Sequence, residues 1–322
     1  MISSMILNYP LIAPTPETDP QPFEDLDYLP VPPVIKWNLD EQSTEPENDV
    51  AEYAEEIMDY YRQRQSLFKI GKYFDKHIRL DPEVRAEMVN FMAQLTTVNN
   101  MFDDILFLAV KLFDLYLDNC DDVIYYKQLK LISSTAVYLA VKYETNHFKC
   151  PISEFVKVTD DIFSQKDYRI MEREILKSIG FEVGIPTANF FLARFCKIIK
   201  ADERVDATAR YVSNMALMFY EFVNVKDDIL AAGALCLALY TNGQDWKPAL
   251  DQYTGYTIRE LEPVAKALNH MLYKWESYYK DCKAIFTYYS GKKNHYVASI
   301  EWLPSDFPPH VDIVIPEYAL NV

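Results

Sequence analysis

The sequence predicts an all-α fold: an N-terminal helix followed by two tandem five-helix units. Three observations carry this. Glycine is scarce, at 7 of 322 residues, which favours helices with short connections over many tight β-turns. From Val50 onward the apolar residues recur with a helical period near 3.6. SSTAVYLAVKYE at 133–144 also lines up with AAGALCLALYTN at 231–242, an offset of 98 residues. Each is followed by a short Pro-containing helix and then a longer amphipathic one. The layout therefore repeats, at a period too long for a solenoid.

Residues 1–50 stand apart. They hold 9 of the 18 prolines, ten Asp or Glu residues and one basic residue, Lys36. Such composition cannot bury enough apolar surface to offset chain entropy, so 1–49 is expected to be an acidic, Pro-rich disordered tail. Apolar islands at Phe23–Leu29 and Val34–Trp37 could dock on the folded part as extended peptide. The expected divisions after the tail are 50–184 for the N-terminal helix and first unit, 185–282 for the second unit, and 283–322 for a C-terminal extension.

The helices follow in order. Tyr53, Ile57, Tyr60, Tyr61 and Arg64 mark a charged amphipathic helix. Asp81-Pro82 opens the next, with Asp as N-cap and Pro at the first helical position; Val84, Met88, Phe91 and Leu95 form its stripe. ILFLAVKLFDLYL, after Asp103-Asp104, is apolar nearly all round and therefore central. Gln128–Tyr143 carries Leu129, Ile132, Ala136, Leu139 and Tyr143, with small residues that let neighbouring helices approach closely. Helices at 151–158 and 167–179 close the first unit. The second unit is expected at 186–200, 204–222, 227–241, 247–253 and 257–277. The one strand signal is Val311–Ile315.

Half the residues are hydrophobic and 14% aromatic, enough for a sizeable core. A net charge of −16 argues against sequence-independent binding to nucleic acid, whose phosphates require Lys and Arg. No apolar run approaches the ~18 residues of a membrane span, and no basic n-region marks a signal peptide. The five cysteines are dispersed and odd in number, which fits buried free thiols. Histidines show no HExxH spacing, and there is no phosphate loop or nucleophile elbow. The Asp pairs at 103–104, 121–122, 160–161 and 227–228 read as helix caps that complement the dipole. No catalytic constellation emerges.

The run from Leu129 to Phe181 contains KYE at 142–144, TDDIF at 159–163 and Met171-Glu172 before Gly180-Phe181. It resembles the cyclin box of the A/B-type (mitotic) cyclins, most closely the B-type, whose run is close to LASKYEE, then EFVYITDD, then MEHLVLKVLxF. FEVGIPTANFFL at 181–192 and YTGYTIREL at 253–261 extend the resemblance in the same order over roughly residues 50–300. It implies two cyclin-fold units that bind and activate a cyclin-dependent Ser/Thr kinase in cell-cycle, G2/M control. The chain would do no chemistry and need no cofactor, because ATP and Mg²⁺ belong to the kinase. No nucleic acid or membrane partner is implied, and the expected location is nucleus or cytoplasm.

In that family the positions of Lys142 and Glu172 pair and contact the kinase beside its αC helix. The implied apolar kinase-facing set is Tyr53, Ile57, Leu139, Tyr143, Met171, Ile175 and Phe181; Leu139 and Ile175 also read as ordinary core. The family's groove for substrates bearing Arg-x-Leu falls on VRAEMVNFMAQL at 84–95. Val84, Met88 and Phe91 keep its shape. Glu87 replaces an apolar residue and Gln94 an acidic one, a change that re-tunes docking. Thr145 stands where a second Glu is usual. These departures support an alternative, a degenerate cyclin-fold scaffold that binds a partner without activating it. A DNA-binding cyclin-fold factor is disfavoured by the −16 charge. Residues 1–50 contain no destruction box; the short Arg-x-x-Leu matches at 64–67 and 173–176 lie in expected helices.

Overall fold

A computed structural model describes residues 53–77, 80–97, 102–145, 151–159, 162–305 and 312–321. The expected disordered tail lies outside them, as do Asp160, Asp161, Cys150 and Val311. Twelve α-helices occur among the described residues, and no sheet. They are α1 Ala54–Gln65, α2 Pro82–Thr96, α3 Phe102–Asn119, α4 Tyr126–Glu144, α5 Ile152–Val158 and α6 Gln165–Ser178, then α7 Ala188–Ile199, α8 Glu203–Ala216, α9 Asp227–Thr241, α10 Pro248–Thr254, α11 Ile258–Tyr278 and α12 Ala284–Tyr289. Helix α4 packs against α2, α3 and α6, while α9 packs against α7, α8 and α11. The two five-helix units α2–α6 and α7–α11 thus each wrap one buried, small-residue helix.

Local chemistry starts most of these helices. The Asp81 carboxylate accepts the Val84 N–H at 2.8 Å, with Pro82 at the first position. Ser164 and Asp167 form a reciprocal capping box on α6, as Thr257 and Glu260 do on α11. Asp202 caps α8 through the Val205 N–H at 2.9 Å. Within α4 the Ser133 and Ser134 hydroxyls donate to the carbonyls of Leu129 at 2.8 Å and Lys130 at 2.6 Å. Two hydroxyls are thereby satisfied in a buried face without widening it. In α9, a Cβ at Gly233 would sit 2.8 Å from Val264 Cγ1, so glycine is what admits α11.

Three expectations need correction. The Asp pairs 103–104 and 227–228 do lie in the first turns of α3 and α9, but their carboxylates serve tertiary partners. Asp103 accepts from Asn214 at 2.8 Å and Tyr289 at 2.6 Å, Asp104 from Asn189 at 2.5 Å, and Asp227 from Lys111 at 3.3 Å. Burial pushes the Asp103 and Asp227 carboxyls above the usual range against these donors. Second, α8 ends at Ala216 rather than reaching 222, where a separate 3₁₀ turn, Tyr220–Phe222, stands. Third, residues 312–316 form no ladder; one antiparallel bridge joins Val225 to Leu320 instead.

The early end of α8 is explained by Arg85. This side chain is 1% exposed and donates to the Leu217 carbonyl at 2.8 Å, satisfying a group the helix end leaves open. It also grips Asp114 of α3 through two bonds, at 2.9 and 2.7 Å. Tyr73 donates to the same carboxylate at 2.7 Å. Burial alone would lower the Arg85 pKa, but the Asp114 charge and these bonds hold it above its ordinary value. Helix α1 bridges the units in turn. Arg62 donates to the Tyr253 carbonyl at 2.6 Å, Arg64 to Gly184 at 2.7 Å, and Gln65 to Asp228 at 2.9 Å.

A buried pair broken from one side leaves an uncompensated charge, which costs ~3–5 kcal/mol. Arg85→Met should therefore destabilise the chain by about that much in chemical denaturation. The double change Arg85→Met with Asp114→Leu should cost less than Arg85→Met alone. Additive losses would show that the two side chains act independently.

Candidate partner-binding surface

Lys142 lies in the last turn of α4 and Glu172 in the middle of α6, and the two form a close ion pair. The lysine side chain is 42% exposed and the glutamate 15%. The Lys142 ammonium also sits 5.3 Å from the centre of the Tyr138 ring. The orientation of α6 is fixed from below. Tyr168, fully buried, donates to the Phe155 carbonyl at 2.9 Å and shares a hydrogen bond with Ser134 at 2.9 Å. Met171 and Ile175 of the same face are buried in the first unit. The glutamate is thus held at the surface by a helix whose opposite side is locked in the core.

The chain leaving α6 is unusual. Gly180 and Phe181 both adopt left-handed backbone, with φ of 60° and 64°. The Phe181 N–H donates to the Leu176 carbonyl at 2.7 Å, closing the helix end. An aromatic residue in this region costs on the order of 1 kcal/mol or more. It leaves the Phe181 ring 65% exposed, held out beside the α6 terminus.

Tyr53 and Tyr143 are also exposed aromatic residues. Ile57 and Tyr143 line a groove of about 460 Å³ that runs between α1, the end of α4 and α7; Tyr61, Glu144 and Phe190 contribute to it. The Tyr61 and Phe190 rings meet at 4.2 Å. Burial, then Tyr143, raises the Tyr61 pKa; burial, then Asp104, raises that of Glu144. Leu139, Met171 and Ile175 lie beneath, in the core, and offer a partner little of their own surface. Their helical spacing is compatible with either position, so periodicity alone did not separate support from contact.

On α2, Val84 and Phe91 are half-buried, Glu87 and Gln94 exposed. Met88 is a core residue, 2% exposed and beneath the Ser133 hydroxyl, so it is floor rather than wall. One participant was missed by sequence reasoning. Tyr126, at the start of α4, donates its hydroxyl to Glu87 at 3.1 Å. Burial, then Glu87, raises the Tyr126 pKa. The residues are 39 apart in sequence and no local pattern links them. Among the described residues no group of His, Cys, Asp or Glu could hold a metal ion, and no helix is long and apolar enough to cross a membrane.

Comparison with known proteins gives a consistent result. Residues 56–184 match the model of the cyclin N-terminal domain, and residues 186–302 that of the cyclin C-terminal domain. A G2/mitotic-specific cyclin-B3 of Caenorhabditis elegans is 28% identical over 278 residues, covering 85% of this chain and 72% of that protein. One of Gallus gallus is 35% identical over 283 residues, covering 86% of this chain and 67% of that protein. The crystal structure of a viral cyclin from herpesvirus saimiri matches with a TM-score of 0.59 at 16% identity, over 71% of this chain and 99% of the viral one, which speaks to fold alone. With both domain models matched in tandem, and similarity to the B-type members over most of its length, the chain belongs to the cyclin family.

Proposed function

We propose that this cyclin is the regulatory subunit of a cyclin-dependent Ser/Thr kinase, binding and activating it in G2/M control and doing no chemistry itself. One observation carries the reading. The Lys142–Glu172 pair stands at the surface beside exposed aromatic residues that α1, α4 and the α6 terminus hold outward. Exposed apolar side chains grouped around a fixed charge pair fit an interaction face better than a solvated surface. A kinase αC helix packed here would be held in its inward position, which places its Glu against the β3 Lys. Preferential binding of that state shifts the kinase population toward activity. ATP and Mg²⁺ act in the kinase. Within this reading, residues 50–184 and 185–282 are the two units that present the face, 283–322 the extension that closes on them, and nucleus or cytoplasm the place of action.

Co-purification with a cyclin-dependent kinase, followed by a histone phosphorylation assay, tests activation directly. Binding without any rise in phosphorylation would favour the scaffold reading suggested by Glu87, Gln94 and Thr145.

The charge pair can be tested alone. In the free chain it is partly exposed, so Lys142→Ala should change folding stability by no more than about 1 kcal/mol. In a desolvated interface the same loss is typically ~2–5 kcal/mol. Calorimetry with the kinase should show that weakening while circular dichroism stays unchanged. Wild-type affinity in the variant would remove Lys142 from the interface.

The groove on α2 makes a second test. A carboxylate at Glu87 raises the cost of seating an apolar anchor, and Gln94 offers an arginine no charge. Arg-x-Leu peptides should bind weakly. Glu87→Ile with Gln94→Glu should strengthen binding by ~1–3 kcal/mol, read by fluorescence polarisation. Tight wild-type binding that the double change leaves alone would place the docking determinants elsewhere.

A further inference from the structure

Two buried carboxylates stand side by side at the start of α9 and face different parts of the molecule. Asp227 is 7% exposed and accepts from Lys111 of α3 at 3.3 Å. Asp228 is 2% exposed and faces α1 instead. Its Oδ1 accepts from Gln65 Nε2 at 2.9 Å, while its own backbone N–H donates to Gln65 Oε1 at 3.3 Å. Its Oδ2 accepts the Tyr256 hydroxyl at 2.8 Å and lies 3.8 Å from Arg62 Nε. Burial, then Asp228, raises the Tyr256 pKa, so that hydroxyl keeps the proton it donates. A buried carboxylate needs such partners to offset its lost water. Two of these three side chains, Arg62 and Gln65, come from α1.

Packing holds α1 only in part. Of its 12 residues, Ala54, Met58 and Gln65 are the buried ones, and the last is polar. Tyr61 adds a ring contact with Phe190 at 4.2 Å. A helix this short is marginal on its own, so its contacts decide where it lies. Arg62 also donates to the Tyr253 and Thr254 carbonyls at the end of α10, at 2.6 and 3.1 Å. Asp228 is thus the point where α1, α9 and the α10–α11 connection meet. The other end of α1 carries the partner face: Ile57 lines the groove with Tyr143, and Tyr53 is exposed beside it in sequence. Ile57 precedes Gln65 by eight residues, about 12 Å along the helix. Asp228 itself does not line that groove.

We infer that Asp228 is a positioning residue for the partner face: it sets affinity for the kinase by holding α1, with Tyr53 and Ile57, in register against α4. The inference rests on the face proposed above. Without the carboxylate, Gln65 and Arg62 lose their common partner and the start of α1 loses its place opposite Tyr143. Helices α4 and α6 keep theirs, because they pack against each other and against α3.

Hydrogen exchange of the free chain, with calorimetry against the cyclin-dependent kinase that co-purifies with it, tests this. In Asp228→Ala the amides of α1 should exchange several-fold faster than in the wild type, with those of α4 and α6 unchanged. Kinase affinity should fall several-fold. In a chain already carrying Tyr53→Ala and Ile57→Ala, adding Asp228→Ala should change affinity by less than about twofold, because the side chains it positions are gone. A general loss of stability would weaken binding equally in both backgrounds. Tyr256→Phe removes one hydroxyl and keeps the ring; it should give the same pattern to a smaller degree, and it serves where Asp228→Ala does not fold. Unchanged exchange in α1, unchanged affinity, or an equal loss in both backgrounds would each overturn the inference. A wild-type chain that binds no kinase would overturn the proposed face as well, whereas a binding wild type matched by Asp228→Ala overturns the role of Asp228 alone.

Discussion

The structure depends on the polar stripe of α3, with the Arg85–Asp114 pair at its centre. Helix α3 is apolar over most of its circumference, yet its five charged residues, Asp103, Asp104, Lys111, Asp114 and Asp118, fall within an arc of about 100°. Every one reaches outside its own helix. Asp103, Asp104 and Lys111 bond to α7, α8, α9 and α12, and Asp114 holds Arg85, which continues to Leu217. Asp118 accepts the Gly71 N–H at 2.8 Å. One face of one helix therefore sets how the second unit sits on the first. Buried charges make that setting specific, because any other register leaves them without partners.

The surface inherits this order. Helix α4 lies against α3, and α6 lies against both, so Lys142 and Glu172 are placed by packing rather than by their own attraction. Helix α1 is tied at three points to the linker and the second unit, which brings Ile57 opposite Tyr143. The left-handed turn at Gly180-Phe181 then projects an aromatic ring at a helix end that a right-handed turn would have folded back. The face joins α1 to α4 and α6 of the first unit, so its shape is set by the packing beneath it.

How much of this the sequence disclosed depends on the range of the interaction. The Asp81-Pro82 start of α2 and the buried α4 and α9 were legible, since caps and periodicity are local. The Asp pairs were misread for the same reason: a carboxylate in a first turn looks like a cap until Asn214, Tyr289 or Lys111 is seen beside it. The end of α8 was not legible because it is set by Arg85, 132 residues away. The Lys142–Glu172 pair was found through family resemblance, and pattern alone would have left two solvated charges. Met88 and Ile175 follow the helical stripe faithfully, but a stripe does not say which of its members meet a partner and which meet the core.

Hydrogen exchange of the full chain, alone and with a cyclin-dependent kinase, distinguishes a partner face at α1, α4 and α6 from one elsewhere. Added protection is expected at the end of α4 around Lys142 and Tyr143, along α6 through Phe181, and at the start of α1. The far side of the second unit, α10 and α11, should exchange as before. Protection confined to α10, α11 or the C-terminal residues, with Lys142 and Phe181 unchanged, would contradict it.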